Sequence, residues 1–512
     1  MFTEPKEKNI RGIGLPRFRK DHQEALFLRF GIAEGARRLV GRLAPCVASL
    51  WEVKRFNEVF SETNSRVPGG QEGVVEAAWV GLGIPARGHR ALGVSLDELG
   101  ATTGAESFKE GMAKRSGEGI GDRRDDQRAN WPDAFKPGVG VGAVLVVAAD
   151  CASRLDAEVD QLCSEIHDAG VEIVFQERGD TLPAPLTGHE HFGFKDGVSQ
   201  PTVEGLDQAP SEHEPPALPA GEFVLGCPST ATPSPVSGDL WTGGSYGVFR
   251  RLRQDVAKFR AQAQGMTSPS PTAGQATSPA PPATELDAKI VGRWPSGAPT
   301  DVNPESDPGE AGISNAFDFA ADAEGESTPR FAHVRKLNPR NEEREDRSQE
   351  PAQAHRMTRA GMPYGDPLPA GTADDGADRG LHFITVVSDL DRQFEFVQRS
   401  WANNPNFPNG RRPGPNSPYG PPAPRIPADG VDPIIGAHGK GDLIALHQPG
   451  GIHELPLLAE TVRVTAGEYF LLPSVHALQR VAEGATASTT TQEASRSAAA
   501  FDFREHRSNT IH

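Results

Sequence analysis

The stretch Gly193-Phe194-Lys195-Asp196-Gly197 sets one carboxylate between two glycines in an aromatic part of the chain. Glycine allows positive φ angles and a close approach of the backbone to a ligand. Phe192 and Phe194 are expected to exclude water around Asp196, so that its carboxyl group can accept and return a proton near neutral pH. The alternative is a plain Asp-Gly turn, in which Asp196 bonds to its own backbone.

A histidine later in the chain, His333, follows small and apolar residues and precedes a cationic run that ends at Arg340. Taken alone, such a histidine is either a hydrogen-bonded core or surface residue or a metal ligand. An imidazole that binds haem iron needs an apolar wall, and the two porphyrin propionates need basic partners at the rim. The residues around His333 offer both.

Arg359 lies in the stretch His355–Gly365, just ahead of a glycine-containing turn. A lone arginine usually faces solvent or pairs with a carboxylate. Next to Asp196 over a haem, however, its guanidinium could stabilise a developing peroxide anion.

In this order and spacing, the three motifs resemble the signature of the dye-decolourising peroxidases. These haem enzymes carry a GxxDG loop, then a proximal histidine, then an arginine in an R-x-G-x-x-Y/F-G turn. The resemblance covers roughly residues 9–480, and the segment Arg392–Asn404 looks most like the larger bacterial branch of the family. The chain departs from the family just before His333, where relatives often have Cys-Pro-x-Gly-Ala-His and this sequence reads Thr328-Pro329-Arg330-Phe331-Ala332-His333. Arg330 and Phe331 are expected to alter the packing around the histidine.

The resemblance implies a peroxidase that reduces hydrogen peroxide to water and oxidises dyes, phenolics or other small organic reductants through a ferryl-porphyrin radical. One haem b per chain would be ligated through iron by His333. Asp196 would move the proton, and Arg359 would offset the negative charge. Further cofactor contacts are expected from Gly193, Phe194 and Gly197 of the first motif. Arg251 and Arg335 are candidates for the propionate partners, with a surface salt bridge as the favoured alternative for each.

Two supporting roles have several candidates each. A carboxylate that accepts the other imidazole N–H of His333 would make the ligand more basic, and Asp389, Asp391 and Glu395 are candidates. Asp389 directly follows a predicted strand, so it is equally suited to cap a helix. Electron transfer from bulky dyes would need an aromatic residue near the surface; the candidates are Trp401, Tyr364 and Trp241, with buried packing as the alternative.

Two other functions compete with the peroxidase. One is a haem-handling protein that binds haem, or releases its iron, without fast turnover; it would not need Asp196 or Arg359. The other is an activity like that of chlorite dismutase, whose related haem fold also uses a distal arginine. The aspartate of the GxxDG loop argues against the second.

Composition narrows the class of protein further. A net charge of −17 argues against nucleic-acid partners. The four cysteines form no CxxC pair, which disfavours a structural zinc site or a dense disulfide framework. The first residues lack the pattern of a secretion signal, and no apolar run is long enough to span a membrane, so we expect a cytoplasmic protein without a membrane partner. The sequence leaves the oligomeric state open.

The elements that must hold these motifs follow a repeated plan of an apolar strand leading into an amphipathic helix. It occurs twice before residue 210, with strands Ala25–Phe30 and Ala143–Ala148, and twice after residue 240, with strands Ser245–Phe249 and Leu381–Val387. This predicts an α+β fold of two ferredoxin-like domains with antiparallel sheets and flanking helices. A parallel Rossmann sheet competes, but no glycine fingerprint follows the first strand.

The haem is expected between the sheet and the helices of the C-terminal domain. The predicted N-terminal domain, 1–235, carries the GxxDG loop, and the predicted C-terminal domain, 236–482, carries His333 and Arg359. Residues 264–284 are predicted to be a Pro/Ser-rich insert and residues 483–512 a low-complexity tail.

Overall fold

The structure is a computed structural model, and the part of the chain that it describes is residues 3–15, 18–66, 77–97, 99, 104–122, 131–136, 140–211, 214–229, 240–266, 283–340, 351–408, 429–439, 441–448, 451–457 and 460–484.

The first sheet has four antiparallel strands in the order β2-β3-β1-β4. They are β1 (His22–Arg29), β2 (Ala78–Gly83), β3 (Ala143–Ala149) and β4 (Glu172–Asp180). Every residue of β3 is buried, as expected for an apolar run between two neighbours.

The second sheet repeats this topology with the order β10-β5-β7-β6. Its strands are β5 (Ser245–Gln254), β6 (Thr358–Tyr364), β7 (Gly380–Val387) and β10 (Val462–Leu472), and a separate hairpin pairs β8 (Leu443–Gln448) with β9 (Gly451–Pro456). The predicted α+β fold of two ferredoxin-like units with antiparallel sheets is confirmed.

Helices flank both sheets. In chain order they are α1 (Glu4–Asn9), α2 (Ala33–Leu43), α3 (Leu50–Arg66), α4 (Ala86–Ala91), α5 (Ala105–Glu110), α6 (Met112–Arg115), α7 (Ala152–Asp168), α8 (Val256–Met266), α9 (Ala283–Val291), α10 (His333–Leu337) and α11 (Val475–Ala482). Two π-helical segments, Leu390–Glu395 and Val397–Ala402, follow β7, where the repeated plan of strand and helix predicts a helix. Short 3₁₀ turns cover Asp133–Phe135, Ala220–Glu222, Glu310–Gly312, Ala320–Asp322 and Ala352–His355.

Aromatic side chains hold the two sheets face to face. The ring of Phe27 on β1 lies 4.9 Å from that of Phe249 on β5, centroid to centroid, and 4.8 Å from that of Phe135. All three rings are buried. Phe249 therefore points from the second sheet toward the first, and its neighbours in β5 point the other way.

Some sequence predictions fall on residues outside the described part of the chain. They include most of the predicted insert 264–284, nearly all of the tail 483–512 and the domain boundary at residues 235 and 236, which remain predictions. Among the described residues, no helix combines the length and the apolar character needed to cross a bilayer.

Candidate active site

A cavity of about 490 Å³ lies on the face of the second sheet that points away from the first. Alternate residues of three strands form this wall, because side chains alternate between the faces of a sheet. They are Arg250, Leu252 and Gln254 from β5, Leu381 and Phe383 from β7, and Val462 and Val464 from β10.

Helical residues form the opposite wall. They come from α10, from the π-helical segments and from the loop before β8: His333, Val334, Leu337, Phe394, Val397, Ile434 and Ile435. The cavity thus lies between a sheet and helices, where the sequence predicted a haem, and most of these side chains are apolar.

His333 is tied to a carboxylate that the sequence analysis missed. Its Nδ1 lies 2.8 Å from Oδ2 of Asp432, whose side chain is fully buried. The second oxygen, Oδ1, accepts the backbone N–H groups of Ile434 and Ile435 at 2.8 and 3.1 Å. Burial alone would raise the pKa of Asp432, but the His333 ring and these N–H donors lower it. With Nδ1 engaged, Nε2 is the ring nitrogen left for a ligand.

The prediction that Asp389 fills this position is wrong. Oδ1 of Asp389 accepts the backbone N–H groups of Asp391 and Arg392 at 3.1 and 3.0 Å, which makes Asp389 the cap of the first π-helical segment. The other candidates are occupied as well, since Glu395 pairs with Arg115 and Asp391 accepts a hydrogen bond from Ser107. No local pattern marks Asp432, which is distant from His333 in sequence.

Asp196 borders the cavity on the sheet side. Gly193 and Gly197 have positive φ angles of 97° and 71°, as expected for a tight turn that only glycine adopts easily. Phe194 is buried and lines the cavity. Asp196 itself is exposed, so the prediction that its aromatic neighbours bury it is wrong. Its Oδ1 accepts the N–H of Gly197 at 2.6 Å, so the Asp-Gly turn also forms.

Arg359 meets Asp196 at the cavity edge, although the two residues come from different halves of the chain. Oδ2 of Asp196 lies so close to Gly361, two residues after Arg359 on β6, that a Cβ atom there would be 2.1 Å from it. Nη2 of Arg359 donates to the carbonyl of Ser199 at 2.7 Å. Burial lowers the pKa of Arg359, and the charge of Asp196 opposes that effect.

A second cavity, of about 360 Å³, adjoins the first at the same residues. Asp196, Gly197 and Arg359 line both cavities. The acid and the guanidinium thus separate the larger space from a smaller one bordered by Lys20 and His189.

Neither predicted propionate partner reaches the cavity. Arg251 lies on the face of β5 that points toward the first sheet, where it pairs with Glu177 and Asp378 at 2.7 Å each. Arg335 lies on the face of α10 that points away from the cavity. It is fully buried and donates to the carbonyl of Thr328 at 2.6 Å and to Asp322. Both predictions are corrected for the same reason, since the periodicity of a strand or helix turns these side chains away from the cavity.

Other cations do lie at the cavity. Arg293 lines it and donates to the carbonyls of Gly297 and Ser314 and to the Asn315 amide oxygen. Burial lowers the pKa of Arg293 to about 10, and repulsion from Arg340 and Arg359 adds to this effect. The same causes lower the pKa of Arg356 to about 9. This cluster, Arg293, Arg340, Arg356 and Arg359, therefore favours an anionic group nearby.

Glu190 is a second carboxyl group in the cavity wall that the sequence analysis missed. Its two oxygens accept the backbone N–H groups of Phe192 and Phe194 at 2.9 Å each, and Gln254 also donates to it. Desolvation raises its pKa to about 7, although these hydrogen bonds oppose the shift. A glutamate three residues before Gly193, the first glycine of the turn, was the available sequence signal.

The three candidate electron-transfer aromatics are all buried. The exposed fraction is 1% for Trp401 and Trp241 and 3% for Tyr364. Their surroundings agree with the alternative role of buried packing. Trp401 stacks on Phe407, and Tyr364 stacks on His382.

The cavity meets the chemical requirements of haem. Haem needs an axial nitrogen, apolar walls for the macrocycle and cations for its two carboxylates. His333 offers Nε2 from the helical side, apolar side chains form most of both walls, and Arg293 supplies positive charge at the cavity. The hydrogen bonds described for the Arg293 guanidinium go to carbonyl and amide oxygens.

Comparison with known proteins agrees with this geometry, although no protein-family profile matches the chain. The chain is 32% identical over 400 residues to a dye-decolorizing peroxidase of Exidia glandulosa, with 75% of this chain and 73% of the relative covered. It is 28% identical over 478 residues to a multifunctional dye peroxidase of Amycolatopsis, covering 89% of this chain and 91% of the relative. A solved dye-decolorizing peroxidase in complex with 2,6-dimethoxyphenol superposes with a TM-score of 0.72 at 26% identity, over 93% of this chain and 99% of that one.

Three relatives at 30% identity or above come from the fungi Mycetinis scorodonius, Exidia glandulosa and Mycena epipterygia, so the similarity is not confined to the bacterial branch that the sequence suggested. Sequence motifs, cavity and relatives all lead to one assignment. This chain belongs to the dye-decolourising peroxidases, a family of haem enzymes.

Proposed function

We propose that this protein is a peroxidase that reduces hydrogen peroxide to water and oxidises dyes, phenolics and other small organic molecules, with one haem b bound per chain through His333. The observation that carries the proposal is the arrangement of the cavity, with a histidine on one wall and Asp196 next to Arg359 on the other. The phenol complex of a structural relative supports phenols as reductants.

When bound, haem supplies the redox chemistry that takes two electrons from the reductant and delivers them to hydrogen peroxide. The chain's own groups hold and move the protons. Asp432 accepts the Nδ1–H of His333 and fixes the orientation of the ring. It also makes Nε2 more basic and therefore a stronger ligand. The Asp196 carboxylate takes one proton from hydrogen peroxide and returns it to the departing oxygen, which leaves as water.

Arg359 offsets the negative charge that develops on the peroxide as its proton leaves. Gln200 holds the backbone of Arg359 through two hydrogen bonds, from Nε2 to the carbonyl at 2.9 Å and from the N–H to Oε1 at 3.1 Å. The carbonyl of Ser199 orients the guanidinium. The second cavity offers hydrogen peroxide a path that ends at Asp196 and Arg359.

Peroxide-driven oxidation of an anthraquinone dye at mildly acidic pH tests this function. We expect Asp196→Asn to lower kcat on the order of a hundredfold to ten-thousandfold while the haem absorption band remains. Arg359→Leu should lower the rate of reaction with peroxide, and His333→Ala should abolish stoichiometric haem binding. If Asp196→Asn and Arg359→Leu both kept the wild-type rate, the catalytic assignment of these two residues would be wrong. A wild-type protein that binds haem but oxidises the dye only slowly would instead be described as a haem-handling protein.

A further inference from the structure

Two hydrogen-bonded pairs of side chains join the chain segment around His333 to the segment around Asp432. The first is the contact of His333 with Asp432. Three residues earlier in each segment, Arg330 pairs with Asp429: its Nε donates to Oδ2, and its Nη2 donates to Oδ1 at 3.3 Å. The side chains of Arg330 and Asp429 are only 1% and 8% exposed.

Asp429 is fixed on several sides. Its Oδ1 lies 3.0 Å from Nε2 of His447 on β8, and its backbone carbonyl accepts the N–H of Ala445 at 3.0 Å. Arg330 is anchored independently, because its Nη1 donates to the carbonyl of Ala323 at 2.9 Å. The Arg330–Asp429 pair therefore fixes the start of the segment that runs through Asp432 along the cavity wall.

This segment carries Asp432, whose carboxylate orients the His333 ring. Only two residues separate Asp429 from Asp432, so a displacement of the first moves the second. The hydrogen bond at 2.8 Å between Asp432 and Nδ1 weakens steeply with distance and angle. A carboxylate that holds the outer N–H of a ligating histidine raises the basicity of the ligand.

We propose that Arg330 is a positioning residue, which holds Asp432 in line with His333 through Asp429 and thereby sets how strongly the imidazole donates to the haem iron. The inference rests on the proposed role of His333 as the ligand. It gives a function to Arg330, which occupies the variable position of the histidine motif, and it requires arginine because a planar guanidinium binds both carboxylate oxygens at once.

The test compares three variants of the haem-loaded protein by resonance Raman spectroscopy and redox titration. Asp432→Asn is the reference for a lost carboxylate, and should lower the iron–histidine stretching frequency of the ferrous protein and raise its reduction potential. We expect Arg330→Met to shift both quantities in the same direction by a smaller amount. Arg330→Lys should restore part of the shift, since lysine keeps the charge but not the two-pronged geometry.

A merely structural arginine would lower the melting temperature and leave both spectroscopic quantities at their wild-type values; that outcome for Arg330→Met overturns the inference. Because an unpaired buried Asp429 could prevent folding, the double variant Arg330→Met/Asp429→Leu removes both charges and should show the same shifts. His333→Ala separates the two proposals. If the iron–histidine band survives in His333→Ala, the ligand assignment fails; if it is lost there but unshifted in both Arg330 variants, only the positioning role fails.

Discussion

Gly361 is the residue that allows Asp196 and Arg359 to lie together. It occupies β6, and the Asp196 carboxylate fills the space that a Cβ atom would take. The glycine of the R-x-G motif thus has a steric reason that the sequence alone did not reveal. An enzyme that depends on this approach should be sensitive to a single methyl group at this position.

We therefore expect Gly361→Ala to slow the reaction with hydrogen peroxide by roughly a hundredfold, because displacement of a catalytic group by about 1 Å costs on that order. The rate of peroxide consumption in stopped flow measures it. Gly31→Ala is a matched control, since a Cβ atom there would meet nothing closer than the Gly170 carbonyl at 3.9 Å. Equal rates for the two variants would contradict the steric explanation.

Glu190 should make stability depend on pH. Desolvation raises its pKa from 4.5 to about 7 in the folded chain, so between these values the folded protein holds a proton that the unfolded chain has lost. The stability contributed by this group is fully present below pH 4.5 and is lost as the pH rises through about 7. Relative to Glu190→Gln, which cannot ionise, the wild type should lose up to about 3 kcal/mol across this window.

Urea unfolding of both proteins at several pH values measures the difference. The two pH dependences should diverge between pH 4.5 and 7 and run parallel above it. A constant difference over the whole range would mean that the pKa of Glu190 is the same in the folded and the unfolded protein.

Single functional residues were predictable from the sequence where they belong to a recognisable motif. Residues whose role depends on a contact with a distant part of the chain were missed. Asp196, His333 and Arg359 stand in recognisable patterns, and all three line the cavity. Asp432 contacts His333 across 99 positions, whereas Asp389 directly follows a strand and has the cap role that the sequence offered as its alternative. Arg251 and Arg335 were chosen for their charge, while the direction of their side chains depends on which face of each element is buried.

Among the elements, β5 has two separate tasks on its two faces. Arg250, Leu252 and Gln254 line the cavity, and Phe249 and Arg251 face the first sheet. Arg251 meets Glu177 on β4, which also lies 2.6 Å from Nε2 of His382 on β7. The contacts among Arg251, Glu177 and His382 therefore join the two sheets.

Arg251→Met should consequently lower the stability of the fold without lowering the affinity for haem. Removal of one partner from a buried ion pair lowers the stability of a protein by about 3–5 kcal/mol. We expect a smaller loss here, because Asp378, the second partner of Arg251, is exposed to solvent. Thermal unfolding of the haem-loaded variant should show the loss, and haem titration should give the wild-type affinity. Arg250→Met, on the cavity face of the same strand, is the contrasting variant, for which haem affinity should change.

Strands were predictable from sequence where burial alone determines the residue types. The apolar runs of β1, β3 and β7 were recognised with ends close to those observed. β2 and β6 were missed because Gly81, Gly83 and Gly361 interrupt the expected pattern of bulky residues. At Gly83, for example, a Cβ atom would lie 2.4 Å from the ring of Phe470, so close packing between sheets requires the glycine.

For the whole molecule, haem should act as a stabilising ligand, because the cavity spans both the sheet and the helices of the second unit. A ligand that binds only the folded state at a hundred times its Kd adds about 2.7 kcal/mol to stability. We expect the melting temperature of the haem-free protein to rise with added haem. His333→Ala should show a much smaller rise, and an equal rise would argue against His333 as the anchor.

The two faces of β5 also restrict how the chain can vary in length. One residue inserted into or deleted from the middle of this strand would exchange its faces and turn Phe249 toward the cofactor and a cation toward the aromatic core. A single change in length would therefore disrupt both the cavity and the packing between the two sheets. Length changes should therefore be tolerated in the loops between strands, while β5 keeps its number of residues.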